Sequence, residues 1–153
     1  MTIETKPPVC PSIRVQYENS KNLLRHYSTW ELNMAKILIV DDDFLITGLM
    51  QSLVTIDKHE AIIVNDSAEA MGVAHSVNPD VITLDLMMPR LSGYDLCQLL
   101  RADPKFDKTP IIIISAKEDT QSKEKAFALG ANEYITKPFD IDHFLKTIRK
   151  LTL

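Results

Sequence analysis

The sequence predicts an α/β fold, a doubly wound five-stranded parallel sheet with helices on both faces. Two observations carry this. From Lys36 onward, short apolar runs alternate strictly with amphipathic segments. That order is the mark of a parallel sheet joined by right-handed crossovers. The runs are also brief, and most are bounded by polar or turn residues, as strands buried on both faces are.

Taken in order, Ile37–Val40 is the first strand, and Asp41-Asp42-Asp43 follows it. Phe44–Ile56 places Leu45, Ile46, Leu49, Met50 and Leu53 at helical spacing. Ala61–Val64 is the second strand. Asp66 then offers an N-cap for a helix over Ser67–Val77. Val81–Leu84 is the third strand. Gly93 is expected to permit a tight turn after Pro89, and Ser92 to cap a helix over Gly93–Ala102. Ile111–Ile114 is the fourth strand. The helix over Thr120–Leu129 stops at Gly130, a suitable C′ residue. Tyr134–Ile135 is the fifth strand, and Asp140 caps a last helix over Ile141–Leu151.

The 153 residues suffice for one ordinary domain with a tail. They are 45% hydrophobic and 25% charged, which excludes a disordered polymer or a fibre. No apolar run approaches the roughly 20 residues of a membrane span. A net charge of −4 speaks against a partner recognised through its phosphate backbone. Cys10 and Cys97 form no metal or redox pair. With no secretory signal at the start, a reduced, cytoplasmic protein is expected. Residues 1–33 differ from the remainder. They hold Pro7, Pro8 and Pro11 and lack sustained periodicity, and three of the chain's 21 acids fall there. They read as an N-terminal extension, either disordered with one short helix around Ser20–Leu32 or a mis-assigned start before Met34. The domain proper is 34–153.

The chemistry collects at the strand ends. The first strand ends in Asp41, Asp42 and Asp43, the third in Asp85, the fourth in Ser115 and the fifth in Lys137-Pro138. In a parallel sheet these ends share one edge, where α/β proteins bind ligands. Carboxylates packed together repel unless protonated or bridged by a cation. A donor set of oxygens without His or Cys favours a hard ion, Mg²⁺ above all. His26, His59, His75 and His143 share no cluster. One lysine cannot neutralise three acids, but it can meet an arriving anion. The set therefore suits a phosphoryl group, with a carboxylate as nucleophile.

ILIVDDD, ITLDLMMPRLSG, IIIISAK and YITKPF, in this order and spacing, resemble the receiver domain of two-component response regulators over residues 36–151. The resemblance implies a flavodoxin-like (βα)5 sheet of order 2-1-3-4-5. It implies Asp85 as phosphoacceptor, and Mg²⁺ held by Asp42, Asp85 and the backbone carbonyl of Met87, with Asp41 acting through water. Ser115 and Lys137 would hold phosphoryl oxygens, and Lys137-Pro138 would be cis. Tyr134 stands where the family has an aromatic switch partnered with Ser115; the alternative is a plain core aromatic. Lys117 either reaches over the site to tune hydrolysis or is a solvated loop lysine. Asp43 reads as a first-turn acid or N-cap, and the Met87 and Met88 side chains as packing.

The implied event is phosphoryl transfer from a sensor histidine kinase or phosphotransfer protein to Asp85, with no enzyme activity beyond self-phosphorylation and autodephosphorylation. The face of the fourth helix, fifth strand and fifth helix would then change, for an unnamed downstream protein or a homodimer. No helix-turn-helix or basic patch follows Leu151, so the message is expected to leave by protein contact or phosphorelay, without nucleic acid or membrane. Three other readings compete. A phosphorylation-independent scaffold would lack one of the acids, the acceptor or the lysine. An aspartate-nucleophile phosphatase of the haloacid-dehalogenase type would use Asp41-x-Asp43 and leave Asp85 and Lys137 unexplained. A flavodoxin relative would need a Ser/Thr/Gly-rich phosphate loop after the first strand, where three acids stand instead.

Overall fold

The computed structural model describes residues 34–153. The N-terminal extension, its expected short helix and Cys10 lie outside the described residues. Five strands form one sheet in the order β2-β1-β3-β4-β5, every neighbouring pair parallel. They are β1 (Lys36–Val40), β2 (Glu60–Val64), β3 (Val81–Leu84), β4 (Ile111–Ser115) and β5 (Glu133–Thr136). The helices are α1 (Phe44–Ile56), α2 (Ala70–Val77), α3 (Gly93–Ala102), α4 (Thr120–Ala128) and α5 (Ile141–Leu151). The expected fold, strand order included, is the one observed.

Alternation along the strands divides the core in two. Leu38, Val40, Ile82, Leu84, Ile111 and Ile113 face α2, α3 and α4, where Leu96, Leu100 and Ala126 meet them. Ile37, Ile39, Val81, Ile112 and Ile114 face α1 and α5, against Met50, Val54, Phe144 and Ile148. Only the three central strands are buried as the sequence suggested. β2 and β5 are edges and stay largely half-exposed. The ladder also runs past the apolar runs onto polar ends such as Glu60, Glu133 and Thr136, because pairing is a backbone property.

Local chemistry sets the boundaries. Asp43 caps α1 by accepting from the Leu45 and Ile46 amides. Ser92 and Asp95 form a reciprocal capping box on α3. Asp140 caps α5. Asp119 caps α4 through the Ser122 amide, a role the sequence reading missed. Gly130 follows the end of α4 at φ 102°, as a C′ glycine should.

Three expectations need correction. The helix over Ser67–Val77 opens as a 3-10 turn, Ser67–Glu69, before α2 begins at Ala70. Asp66 caps that turn, while the Ser67 side chain points inward to the loop after β3. On α1 the buried stripe is Thr47, Met50 and Val54, with Ile46 and Leu53 half-packed; Leu45 and Leu49 face outward beside exposed Phe44 and Ile56. Gly93 is required by space and not by turn conformation. A Cβ there would collide with the Asp85 carbonyl oxygen and stand 2.9 Å from Leu86 Cα. The left-handed residue of that loop is Arg90, at φ 70°.

Gly93→Ala should therefore cost about 1–3 kcal/mol by overpacking, whereas Gly72→Ala, in open helix surface, should gain about 0.5–1 kcal/mol. Urea unfolding of the two variants measures both signs.

Candidate functional site

Register places the acidic residues together. Val40 pairs with Leu84, so Asp41 and Asp85 emerge side by side from adjacent strands. The Asp85 amide donates to the Val40 carbonyl at 3.0 Å, and the Asp41 amide to the Val64 carbonyl at 3.2 Å. Ser115 pairs with Thr136, and the Lys137 amide donates to the Ser115 carbonyl at 2.8 Å. Four strands thus deliver Asp41, Asp42, Asp85, Ser115 and Lys137 to one rim.

Lys137 is the centre of charge. Its Nζ donates to Asp41 Oδ2 at 2.6 Å, across 96 residues of chain, and lies 3.4 Å from Asp85 Oδ1. The other Asp41 oxygen accepts from the Asp43 amide at 2.9 Å. Asn65 in turn donates to the Asp41 carbonyl at 2.8 Å, a support not foreseen from sequence. Asp41 and Asp85 are buried; Asp42 is exposed. Ligand oxygens of Asp41, Asp42 and Asp85 lie within 4.8 Å of one another. An oxygen-only set of this charge, with one ammonium against three carboxylates, fits a hard divalent cation.

The electrostatics follow from burial. Desolvation lifts the Asp85 carboxyl above its ordinary value. Lys137 opposes this, while Asp41 and then Asp42 add to it. Burial alone would pull the Lys137 ammonium down, but Asp41 and Asp85 outweigh it and hold the group above the usual lysine value.

The remaining candidates surround this centre. Ser115 is fully buried, and its Oγ accepts from the Lys117 amide at 3.3 Å. Tyr134 donates its hydroxyl to the Lys117 carbonyl at 2.7 Å. Burial pushes the Tyr134 phenol up, with the Ser115 hydroxyl opposing. Lys117 thus serves the site's frame through both backbone groups. Lys137-Pro138 is cis, as the resemblance implied. Met88 packs against the core, but the Met87 side chain is 61% exposed, which corrects its reading as packing. Asp43 is engaged as the α1 cap, so the second aspartate of the Asp41-x-Asp43 pattern is a helix cap in this fold.

The model for the response regulator receiver domain matches residues 37–149. The chain belongs to that family. The receiver is 35% identical over 118 residues to the DNA-binding dual master transcriptional regulator RpaA of Synechocystis, covering 77% of this chain and 49% of that protein. It is 32% identical to protein PilG of Pseudomonas aeruginosa, over 74% of this chain and 84% of PilG. Among solved structures, the chemotaxis response regulator CheY4 of Vibrio cholerae superposes with a TM-score of 0.73 at 29% identity, over 77% of this chain and 98% of that one. The receiver spans about half the length of several curated relatives it matches. Membership places it in two-component signalling, where receivers are phosphoacceptor modules and not classical enzymes. No described helix is long and apolar enough to cross a membrane.

The direction of the Asp85 shift fixes a pH dependence. A carboxyl held high in the fold contributes stability in its protonated form, and that contribution is lost as pH rises through its raised value. In metal-free buffer Asp85→Asn should therefore be more stable than the parent at neutral pH, with the gap closing as pH falls through the carboxylate range. Thermal unfolding in chelator from pH 4 to 8 measures it; a variant less stable than the parent at neutral pH contradicts the assigned charge balance.

Proposed function

We propose that this receiver accepts a phosphoryl group on Asp85 from a phosphohistidine of a sensor histidine kinase or phosphotransfer protein, in the cytoplasm. The observation that carries this is the Asp41–Lys137–Asp85 contact at the rim, with Asp42 open to solvent beside it. An Asp85 oxygen attacks phosphorus in line with the departing imidazole. A P–O bond forms, the P–N bond breaks, and the bonding pair leaves with the histidine nitrogen. Lys137 releases Asp41 and Asp85 to pair with a phosphoryl oxygen, and Ser115 takes another. Asp42, Asp85 and the Met87 carbonyl would hold Mg²⁺, with Asp41 reaching it through water; when bound, the ion supplies charge neutralisation at the equatorial oxygens. Water later cleaves the acyl phosphate, and a Lys117 side chain reaching over the site would tune that rate.

Exposed Phe44 and Leu45 directly follow the acidic rim, and apolar side chains there suit a protein donor. Output leaves through α4, β5 and α5, by contact with a downstream protein or by homodimerisation. Phe127, half-exposed on α4, lies 6.5 Å from the Tyr134 ring. A shift of Tyr134 with Ser115 therefore reaches the surface, as a change in population between two packings. The complete acid, acceptor and lysine set disfavours a phosphorylation-independent scaffold. The acidic balance disfavours nucleic acid as the partner of this domain.

Intact-mass measurement with acetyl phosphate and Mg²⁺ tests the reading. One added phosphate is expected, absent in Asp85→Ala and blocked by a chelator; labelling that survives Asp85→Ala contradicts it. A companion outcome is that Mg²⁺ at a hundred times its Kd raises stability by about 2.7 kcal/mol, lost in Asp42→Asn.

A further inference from the structure

The loop from Leu86 to Ser92 joins β3 to α3 and carries Met87. Within it, the Gly93 amide reaches back to the Leu86 carbonyl at 3.2 Å, which closes the ends of the loop. The middle is held from outside. Ser67, in the 3-10 turn before α2, donates its hydroxyl to the Pro89 carbonyl at 2.7 Å and accepts from the Leu91 amide at 3.1 Å. Its side chain is buried, and both of its hydrogen-bonding roles are spent on this loop. A second tie, Arg90 to Asp66 at 2.7 Å, joins the same two loops, but Arg90 is 66% exposed and such pairs are weak in water. The Ser67 clasp straddles Arg90, the residue whose φ of 70° turns the chain back. Arg90 bears a side chain in a conformation that glycine adopts more freely, so the turn needs bonds from outside to hold it.

We propose that Ser67 is a positioning residue of the acceptor site: its hydroxyl fixes the β3–α3 loop so that the Met87 carbonyl faces the cation held by Asp42 and Asp85. This rests on the metal reading given under Proposed function. The hydrogen bonds of the Ser67 side chain go to Pro89 and Leu91, not to the acidic residues. Its effect passes through Pro89, two residues from Met87, and Leu91, four residues from it. Partners of this indirect kind commonly set metal affinity by 10- to 100-fold.

The test uses the full chain and measures Mg²⁺ affinity by calorimetry, with amide exchange at Leu91 followed by NMR. Ser67→Ala is expected to weaken Mg²⁺ binding about 10-fold or more and to speed Leu91 exchange. Ser67→Thr, which keeps the hydroxyl, should restore both. Ser92→Ala, which removes the α3 cap but leaves the clasp intact, serves as the stability control. If Ser67→Ala melts below the working temperature, Ser67→Thr against the parent carries the test, with affinity within about threefold expected. Unchanged Mg²⁺ affinity in Ser67→Ala, or an equal loss in Ser92→Ala at matched stability, overturns the proposal alone. No Mg²⁺ uptake by the parent chain overturns the metal reading and this one with it.

Discussion

Three crowded carboxylates, two of them paired with one half-buried ammonium, are the constraint on which this receiver depends. Asp41 and Asp85 leave adjacent strands in register, so their separation is set by the sheet and not by side-chain choice. Lys137 is delivered from the far edge strand and spans both. The arrangement is under-neutralised, and Asp41 and Asp85 are held out of water. Such a centre gains from any further positive charge and from any event that spreads the negative charge outward.

The surroundings of the three acids differ accordingly. Asp41 has both oxygens engaged, one by Lys137 and one by the Asp43 amide, which suits an indirect role toward a cation. Asp42 is exposed and better placed to exchange water for metal. Asp85 combines burial with a lysine at 3.4 Å, so its carboxylate is poorly solvated yet close to a partner that can move. Ser115, Lys117 and Tyr134 then link the rim to the α4 surface through three hydrogen-bonding groups in series. The Tyr134 ring in turn lies 6.5 Å from that of Phe127.

Much of this was legible because it is periodic or terminal. Strands β1, β3 and β4 are near-continuous apolar runs; β1 and β3 lead directly into Asp41 and Asp85, and β4 ends on Ser115. Ser92 and Asp140 stand where their helices begin. The rest depends on contacts that local sequence does not encode. Leu45 and Leu49 share helical spacing with Met50, and only the position of β1 and α5 decides which stripe turns inward. Gly93 looks like a turn glycine, but its need comes from the Asp85 carbonyl packed against it. Ser67 looks like the second residue of a helix start; its tie to Pro89 crosses 22 residues and has no periodic signature. Met87 sits in a motif rich in buried neighbours yet projects outward, which its residue type does not announce.

The central claim is that the crowded rim is a divalent-cation site. Titration of isotope-labelled protein with Mn²⁺, a paramagnetic stand-in for Mg²⁺, tests it most directly. The account predicts selective broadening of amides at the ends of β1 and β3 and along the loop after β3, competed away by Mg²⁺ and lost in Asp42→Asn. Uniform broadening, or broadening centred elsewhere and indifferent to Asp42, would contradict it.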